Sequence, residues 1–216
     1  MRVFVSWSGG KDSALATHRA LAQGHQVVCL LSFVSEDGLR SRSHRVPISA
    51  LQAQAEAMGL PLLCFRTSWE EYEENFKRAV DELKREGIAG GVFGDLELEE
   101  HRQWVERVCG EVGIEPLLPL WRVESAALVE EFFELGFKAL VVATRLDPDL
   151  LGRGLDWAFL AEVEKLGSHP MGENGEYHTF VTDGPLFRRP LVILPGERRE
   201  GQGVWFLDFL VRLGER

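Results

Sequence analysis

The chain has little cysteine, asparagine and lysine, and each shortage has a consequence. Its three cysteines are an odd number without a CxxC or other metal-ligand spacing, which argues against a disulfide framework and a cysteine-based zinc site. Cys29, Cys64 and Cys109 each lie in an apolar segment, so we expect them to pack in the core rather than to catalyse. Two asparagines, and five lysines against nineteen arginines, are typical of a thermophile or of a GC-rich genome.

Long apolar segments and an excess of basic residues are also missing. Met1 and Arg2 lead directly into a short strand, so we expect a cytoplasmic protein with neither a signal peptide nor a membrane span. The net charge of −10 argues against a surface built for unspecific nucleic-acid binding, and we expect no nucleic-acid partner. The 45% of hydrophobic residues is that of an ordinary globular protein.

The first two-thirds of the chain alternate apolar strands with amphipathic helices. Strands are predicted at 3–5, 26–33, 60–65, 91–93, 114–118 and 137–143, and the helices between them at 11–23, 48–58, 69–83, 98–108 and 124–135. This alternation predicts an α/β domain with a parallel sheet covered on both faces. Ligands of such sheets bind beyond the carboxyl ends of the strands.

The pattern changes after Thr144. One helix around 157–163 is followed by a glycine-rich loop and by two apolar runs, 191–194 and 204–213, which a Gly/Pro/charge turn separates. These runs predict antiparallel strands. We therefore expect an α/β domain over residues 1–146 and a smaller α+β unit over residues 147–216.

A phosphate-binding loop is predicted directly after the first strand, where the sequence is SGGKDS. Its two glycines allow a close backbone approach to an anion, and the helix that follows offers free N–H groups and the positive end of its dipole. The spacing is neither that of a Walker A loop nor that of a GxGxxG dinucleotide loop. The residues are Ser8, Gly9, Gly10, Lys11, Asp12 and Ser13.

This loop resembles the SGGxDS loop of the N-type ATP pyrophosphatases. The resemblance implies a HUP-type (PP-loop ATP pyrophosphatase) domain that cleaves ATP to AMP and pyrophosphate while a substrate oxygen attacks the α-phosphorus. Lys11 and Asp12 are then catalytic, and ATP and Mg²⁺ are the expected cofactors. Asp12, which cannot favour a bare anion, is the expected ligand of Mg²⁺.

Further motifs resemble the diphthine–ammonia ligase family, and the likeness runs from Arg2 to about Phe187. They are GVFGD at 91–95, HRQW at 101–104, PLLPLW at 116–121, LGRGLD at 151–156 and GENGEYHTF at 172–180. The chain has His169-Pro170-Met171 where the family commonly has Asp-Pro-Cys, which puts any role of that cysteine in doubt. The nonapeptide GENGEYHTF is the most specific of these motifs, because no general structural requirement dictates these nine residues in this order.

The family resemblance implies an AMP-forming ligase that adenylates a carboxylate and amidates it with ammonia. The acceptor would be diphthine on elongation factor 2, or another carboxylate if the source is a bacterium. The expected partners are ATP, this acceptor and ammonia, with a second copy of the chain as a further candidate. Two other functions remain open: a PP-loop tRNA-modifying enzyme, and an ATP-binding module without catalysis.

Polar residues of the segment 172–180 are the main candidates for the second substrate. Glutamates there could orient ammonium or hold a metal, and a histidine could move a proton. Composition alone fits a solvated hairpin turn equally well. With the resemblance we assign Glu173 and Glu176 as catalytic, and we expect substrate contacts from Glu173, Asn174, Glu176 and His178.

Four more positions are substrate candidates. Asp95 follows a strand at the edge where parallel sheets place their chemistry. Arg145 and Arg153 could neutralise phosphate charge, or could pair with nearby aspartates on a solvated face. His44, in the basic loop 41–45, matches a histidine of the family. His101 falls on an apolar stripe, so it could be a core histidine or a substrate contact.

Overall fold

Two sheets organise the chain. The structure, a computed structural model, describes residues 1–42 and 44–215, so Ser43 of the basic loop lies outside the described residues. The first sheet has five strands in the order β3-β2-β1-β4-β5, and each neighbouring pair is parallel. Its strands are β1 Arg2–Ser6, β2 Gln26–Val34, β3 Leu62–Arg66, β4 Gly90–Val92 and β5 Glu115–Leu117. The predicted α/β class is confirmed.

Helices cover both faces of this sheet because β1 is apolar on both of its sides. Val3 and Val5 belong to the same buried cluster as helices α1 and α2, whereas Phe4 belongs to the cluster of helices α3 and α4. Alternate residues of a strand point to opposite faces, so one short strand serves two cores. These helices are α1 Lys11–Ala22, α2 Ile48–Met58, α3 Tyr72–Arg85 and α4 Glu99–Val112.

The second sheet has four strands in the order β7-β6-β9-β8, and its pairs are antiparallel. The helix α5 Ser125–Glu134 precedes it, and a short 3-10 helix, Pro148–Leu150, and the helix α6 Trp157–Lys165 are inserted in it. The four strands are β6 Lys138–Thr144, β7 Tyr177–Asp183, β8 Leu191–Gly201 and β9 Val204–Leu213. Antiparallel strands at 191–194 and 204–213 were expected and are confirmed.

Strand β6 lies where we predicted a strand, but the prediction that it belongs to the parallel sheet is wrong. It pairs antiparallel with β7 and β9. A buried apolar strand has the same local pattern in either sheet, and only long-range pairing separates the two cases. The division between the two units after residue 146 is not tested by the pairing of β6 and stays a prediction. Because β6 belongs to the second sheet, we propose that the boundary lies earlier in the chain, between β5 and α5.

Three local expectations are also corrected. The polar segment 172–180 is not a loop throughout, since Tyr177–Asp183 forms β7. The Gly/Pro/charge stretch after 194 continues β8 to Gly201, and the turn follows at Gln202 and Gly203, both with positive φ. This part of β8 is charged because it lies exposed at the edge of the sheet. Cys64 is exposed on the edge strand β3, whereas Cys29 and Cys109 are buried as expected.

The two sheets share one core, and this contact positions the site. A single cluster of buried residues includes Leu15 of α1 and Phe180 of β7. The N–H of Val181 in β7 donates to the carbonyl of Gly9 over 2.9 Å, so β7 lies directly against the predicted phosphate loop. Within the described residues, no helix combines the length and apolar character needed to cross a membrane.

Candidate functional site

The predicted phosphate loop lies where the strand order reverses. From β1 the chain builds β2 and β3 on one side, and then returns to place β4 and β5 on the other. The carboxyl ends of β1 and β4 therefore flank a crevice of the kind in which open α/β sheets bind ligands. A Cβ on Gly94, just after β4, would lie 2.9 Å from the carbonyl carbon of Asp12. Glycine at this position lets the segment after β4 approach the start of α1.

The loop requires its first glycine. Gly9 has φ +82°, and a Cβ there would lie 2.7 Å from both Gln54 Oε1 and Leu51 Cδ2. Hydroxyl groups brace the rest of the turn. Ser8 Oγ accepts from the N–H of Gly10 over 3.3 Å and lies 3.1 Å from Ser13 Oγ, which in turn donates to the carbonyl of Gly10 over 3.0 Å.

A buried glutamine fixes the loop to its surroundings. Gln54 of α2 is fully buried, accepts from Trp7 Nε1 over 3.0 Å, and donates to the carbonyls of Gly9 (2.9 Å) and Val181 (2.8 Å). A single amide thus connects the residue after β1, the phosphate loop and β7. Gln54 is a polar residue on the apolar stripe of α2, and that contrast was the available signal for a residue that we did not predict.

Lys11 and Asp12 form an ion pair at the start of α1. Lys11 is 3% exposed, its Nζ donates to Asp12 Oδ2 over 2.9 Å, and it lies 5.2 Å from the centre of the Tyr177 ring. The N–H of Lys11 donates to Thr179 Oγ1 over 3.0 Å. Burial raises the pKa of Asp12, and the charge of Lys11 opposes this effect.

Asp12 Oδ1 is the feature of this pair that fits a metal-bound polyphosphate. The atom is buried and has no hydrogen-bond partner among the described residues. Those residues also contain no group of three or more His, Cys, Asp or Glu that could hold a metal by itself. Mg²⁺ in nucleotide sites is held by one or two carboxylates together with phosphate oxygens, so a single available carboxylate oxygen suits it.

Glu176 is engaged inside its own turn. Its carboxylate accepts from the N–H groups of His169 (3.0 Å) and Asn174 (2.9 Å) and from Asn174 Nδ2 (3.2 Å). Burial alone would raise the pKa of Glu176, but these hydrogen bonds lower it below the usual value. Because the carboxylate is used to shape the turn, the geometry favours a positioning role over the catalytic one that we predicted.

Glu173 lies near enough to the phosphate loop for the charge of Asp12 to act on it. It accepts from the N–H groups of Leu96 and Glu97, both over 3.3 Å, which ties the turn to the segment after β4. Burial raises the pKa of Glu173, and the nearby carboxylates of Asp12 and Asp95 raise it further. Three carboxylates from three different segments therefore share one crevice.

An open cleft of about 510 Å³ adjoins these carboxylates. It gathers four of the eight residues that we predicted for the second substrate, and it adds Trp69, which we did not predict. Its lining consists of Trp69, Leu98, His101, Arg145, His178 and the turn 173–175. Asp95 lies beside it, with Oδ1 3.3 Å from His101 Nδ1. Of the two alternatives for His101, the structure supports exposure to the cleft over burial in the core.

Two histidine rings lie against each other, tilted by 48°, beside the phosphate loop. The rings of His44 and His178 are 4.3 Å apart, and a Cβ on Gly10 would lie 3.3 Å from His44 Nε2. Burial lowers the pKa of His178 to about 4 and that of His44 well below 6.5, and the positive charge of Lys11 adds to both shifts. Both imidazoles are therefore neutral at neutral pH.

Arg153, which we predicted as a substrate contact, does not line the cleft and is paired elsewhere. Its guanidinium pairs with Glu162 and lies 5.7 Å from the centre of the Phe159 ring. Thr179 and Tyr177 are contacts of Lys11 that sequence analysis did not single out. Both belong to the nonapeptide motif, so the motif itself was their only signal.

The fold and this site define a class of protein. A doubly wound parallel sheet with a serine- and glycine-rich loop at the switch point, followed by a buried Lys-Asp pair at a helix start, is a nucleotide-binding domain of the PP-loop type. The adjoining cleft is lined from both parts of the chain, by Trp69, Leu98 and His101 before the second sheet and by Arg145, His178 and the turn 173–175 within it.

Comparison with known proteins names the family. Residues 1–116 match the diphthamide synthase N-terminal domain and residues 124–212 match the diphthamide synthase C-terminal domain. The diphthine–ammonia ligase of Rattus norvegicus is 33% identical over 221 residues, 89% of this chain and 83% of that protein. The diphthine–ammonia ligase of Danio rerio is 34% identical over 226 residues, 89% of this chain and 86% of that protein. The chain belongs to the diphthine–ammonia ligase family, and it is an ATP-dependent ligase.

A shorter match bears on the tRNA-modifying alternative. The tRNA-specific 2-thiouridylase MnmA of Halorhodospira halophila is 34% identical over 85 residues, which cover 38% of this chain and 22% of that protein. This partial match is consistent with a shared nucleotide-binding region. The ligases match over both sheets, so the tRNA-modifying function is not favoured.

Proposed function

We propose that this ligase uses ATP to adenylate a carboxylate, releases pyrophosphate, and converts the adenylate to an amide with ammonia. The acceptor that the names of its relatives favour is diphthine on elongation factor 2. In a host without diphthine, another carboxylate takes its place. An acceptor on a translation factor would place the reaction in the cytoplasm.

One observation supports this function above the others. A buried lysine and an unpartnered carboxylate oxygen of Asp12 lie at the phosphate loop. The cleft lined by Glu173 and Arg145 lies beside them, since it also contains His178, whose pKa the charge of Lys11 lowers. A site that only bound a nucleotide would need the loop alone. A cleft with both charge signs beside the loop suits a second substrate and its nitrogen.

On the nucleotide side, the loop 8–13 would hold the β- and γ-phosphates with its backbone, its two hydroxyls and Lys11. Asp12 would hold Mg²⁺ together with phosphate oxygens, and the ion would neutralise charge on the leaving pyrophosphate. The neutral pair His44 and His178 can donate hydrogen bonds to phosphate without adding repulsion to the nearby Lys11.

On the acceptor side, Arg145 would attract the carboxylate, since it is the arginine of the cleft lining. Glu173 would attract ammonium, because a carboxylate is a poor neighbour for triphosphate and a good one for a cation. Glu176 and Asn174 hold the turn that presents Glu173. The proposal gives no role to Arg153, which is paired elsewhere.

The chemistry has two steps. First, a carboxylate oxygen attacks the α-phosphorus of ATP, and the bond to the β-phosphate oxygen breaks to release pyrophosphate. Second, ammonia attacks the carbonyl carbon of the acyl-adenylate, a C–N bond forms, and the C–O bond to AMP breaks. One oxygen of the original carboxylate therefore leaves with AMP, and the adduct nitrogen loses a proton.

The test is product analysis with defined substrates. The chain is incubated with ATP, Mg²⁺, ammonium and diphthine-bearing elongation factor 2, and AMP, pyrophosphate and the acceptor mass are measured. The proposal expects equal amounts of AMP, pyrophosphate and amide. ADP and phosphate as products would reject it, as would pyrophosphate release that required tRNA. Binding of ATP without any cleavage would support the non-catalytic alternative.

A further inference from the structure

The Asp95–His101 pair has no role in the steps described above. Asp95 follows β4, His101 lies in the first turn of α4, and His101 Nδ1 is 3.3 Å from Asp95 Oδ1. The imidazole is 57% exposed and lines the cleft together with Glu173. Asp95 can thus orient the ring through Nδ1, which leaves Nε2 available to a ligand of the cleft.

The electrostatic surroundings of this histidine are mainly negative. Asp95, Glu173 and Glu100 each raise its pKa above 6.5, the Asp95 hydrogen bond being the largest cause, and partial burial opposes them. Arg145 and His178 also line the cleft. The carboxylates of Asp95 and Glu173 therefore favour a cation beside this ring, while Arg145 in the same lining suits the acceptor carboxylate.

We propose that His101, oriented by Asp95, removes a proton from ammonium bound between His101 and Glu173, and so supplies ammonia to the acyl-adenylate. This inference rests on the proposed function. At neutral pH dissolved ammonia is almost entirely ammonium, which has no lone pair with which to attack. A ligase that takes its nitrogen from ammonium needs a group to accept that proton.

The step balances without a further reactant. One N–H bond of ammonium breaks, its electron pair stays on nitrogen, and the proton bonds to His101 Nε2. Ammonia then forms the C–N bond of the amide, the C–O bond to AMP breaks, and the proton that the adduct nitrogen loses passes to solvent. His101 returns its proton to solvent through the exposed side of the cleft before the next cycle.

Two nucleophiles separate this role from a structural one. Hydroxylamine is uncharged at neutral pH, so it attacks an acyl-adenylate without prior loss of a proton. His101→Asn keeps an amide N–H that can donate to Asp95 but cannot accept a proton. With diphthine-bearing elongation factor 2 at neutral pH, we expect this variant to lose about a hundredfold in ammonium-dependent kcat/KM and to keep hydroxamate formation within about twofold.

The pH profile provides a second readout. At a fixed total concentration of ammonium, the rate of the unaltered enzyme should rise with pH and level off above the pKa of His101. The rate of His101→Asn should keep rising in proportion to free ammonia. Gln103→Ala, an exposed position of the same helix, is the matched control and should behave as the unaltered enzyme with both nucleophiles.

The possible outcomes separate a proton-accepting role of His101 from a structural one. Equal losses with ammonium and hydroxylamine would mean that His101 is structural, and no loss with either would mean that another base or free ammonia suffices. Both results overturn the inference while amide formation by the unaltered enzyme still supports the proposed function. If the unaltered enzyme forms neither amide nor hydroxamate, the proposed function fails and the inference falls with it.

Discussion

Replacing Gln54 with leucine tests whether the phosphate loop is held in place by the second sheet. The buried amide of Gln54 bonds Trp7 Nε1, the carbonyl of Gly9 and the carbonyl of Val181. Leucine has similar bulk but cannot bond any of them. Gly9 keeps its bond from the N–H of Val181, so its carbonyl stays satisfied. The Trp7 N–H and the Val181 carbonyl each lose the bond that Gln54 supplied.

The expected cost follows from these two groups. A buried polar group that loses its partner costs about 1–3 kcal/mol, so for two groups we expect the free energy of unfolding to fall by about 2–6 kcal/mol. The loop is less constrained in the variant, and the Kd for ATP should rise about tenfold, equivalent to about 1.4 kcal/mol. Urea unfolding followed by tryptophan fluorescence gives the first quantity, and calorimetry with ATP gives the second.

Gln52→Leu is the matched control, since Gln52 is exposed on the same helix. A surface substitution of this kind should change stability by no more than about 0.5 kcal/mol. If Gln54→Leu unfolds like Gln52→Leu and binds ATP as tightly, the buried amide does not hold the loop and our account of its position is wrong.

Three further predictions concern the same region. Lys11→Ala should retain its fold and lose about a hundredfold or more in pyrophosphate release, because it removes a cation from the phosphate site; full activity would mean that the site is misplaced. Gly9→Ala should lower Tm more than Gly24→Ala does, since both glycines have φ above +80° but only a Cβ at Gly9 meets atoms at 2.7 Å; equal losses would show that there is no steric constraint. Between pH 6.5 and about 4, folded His178 binds fewer protons than the unfolded chain does, so stability should fall as pH falls through that window. His178→Gln should flatten this slope in urea unfolding measured across the same pH range, and an unchanged slope would contradict the assignment.

Sequence patterns were sufficient where a feature is local. The SGGKDS loop follows β1 and begins α1 as predicted, because a strand, two glycines and a helix start are adjacent in the chain. The alternation of apolar strands and helices correctly predicted the parallel sheet through β5. Both signals depend on neighbouring residues alone.

Long-range contacts were beyond the same patterns. The bond from the Lys11 N–H to Thr179 Oγ1 joins residues that are 168 positions apart, and no local periodicity reports such a contact. The sheet to which β6 belongs was misassigned for the same reason. The segment 172–180 was identified through its polar composition and its motif, yet its turn around Glu176 and the strand that follows are set by hydrogen bonds across the fold.

The central claim is that a carboxylate attacks ATP at the α-phosphorus and is then amidated. Oxygen labelling tests it most directly. The acceptor carboxylate is enriched in ¹⁸O, the reaction is run with ATP and ammonium, and AMP and the remaining phosphate products are analysed by mass spectrometry. The account predicts one ¹⁸O atom in each AMP formed and none in pyrophosphate. Unlabelled AMP, or ADP with phosphate in place of AMP and pyrophosphate, would contradict it.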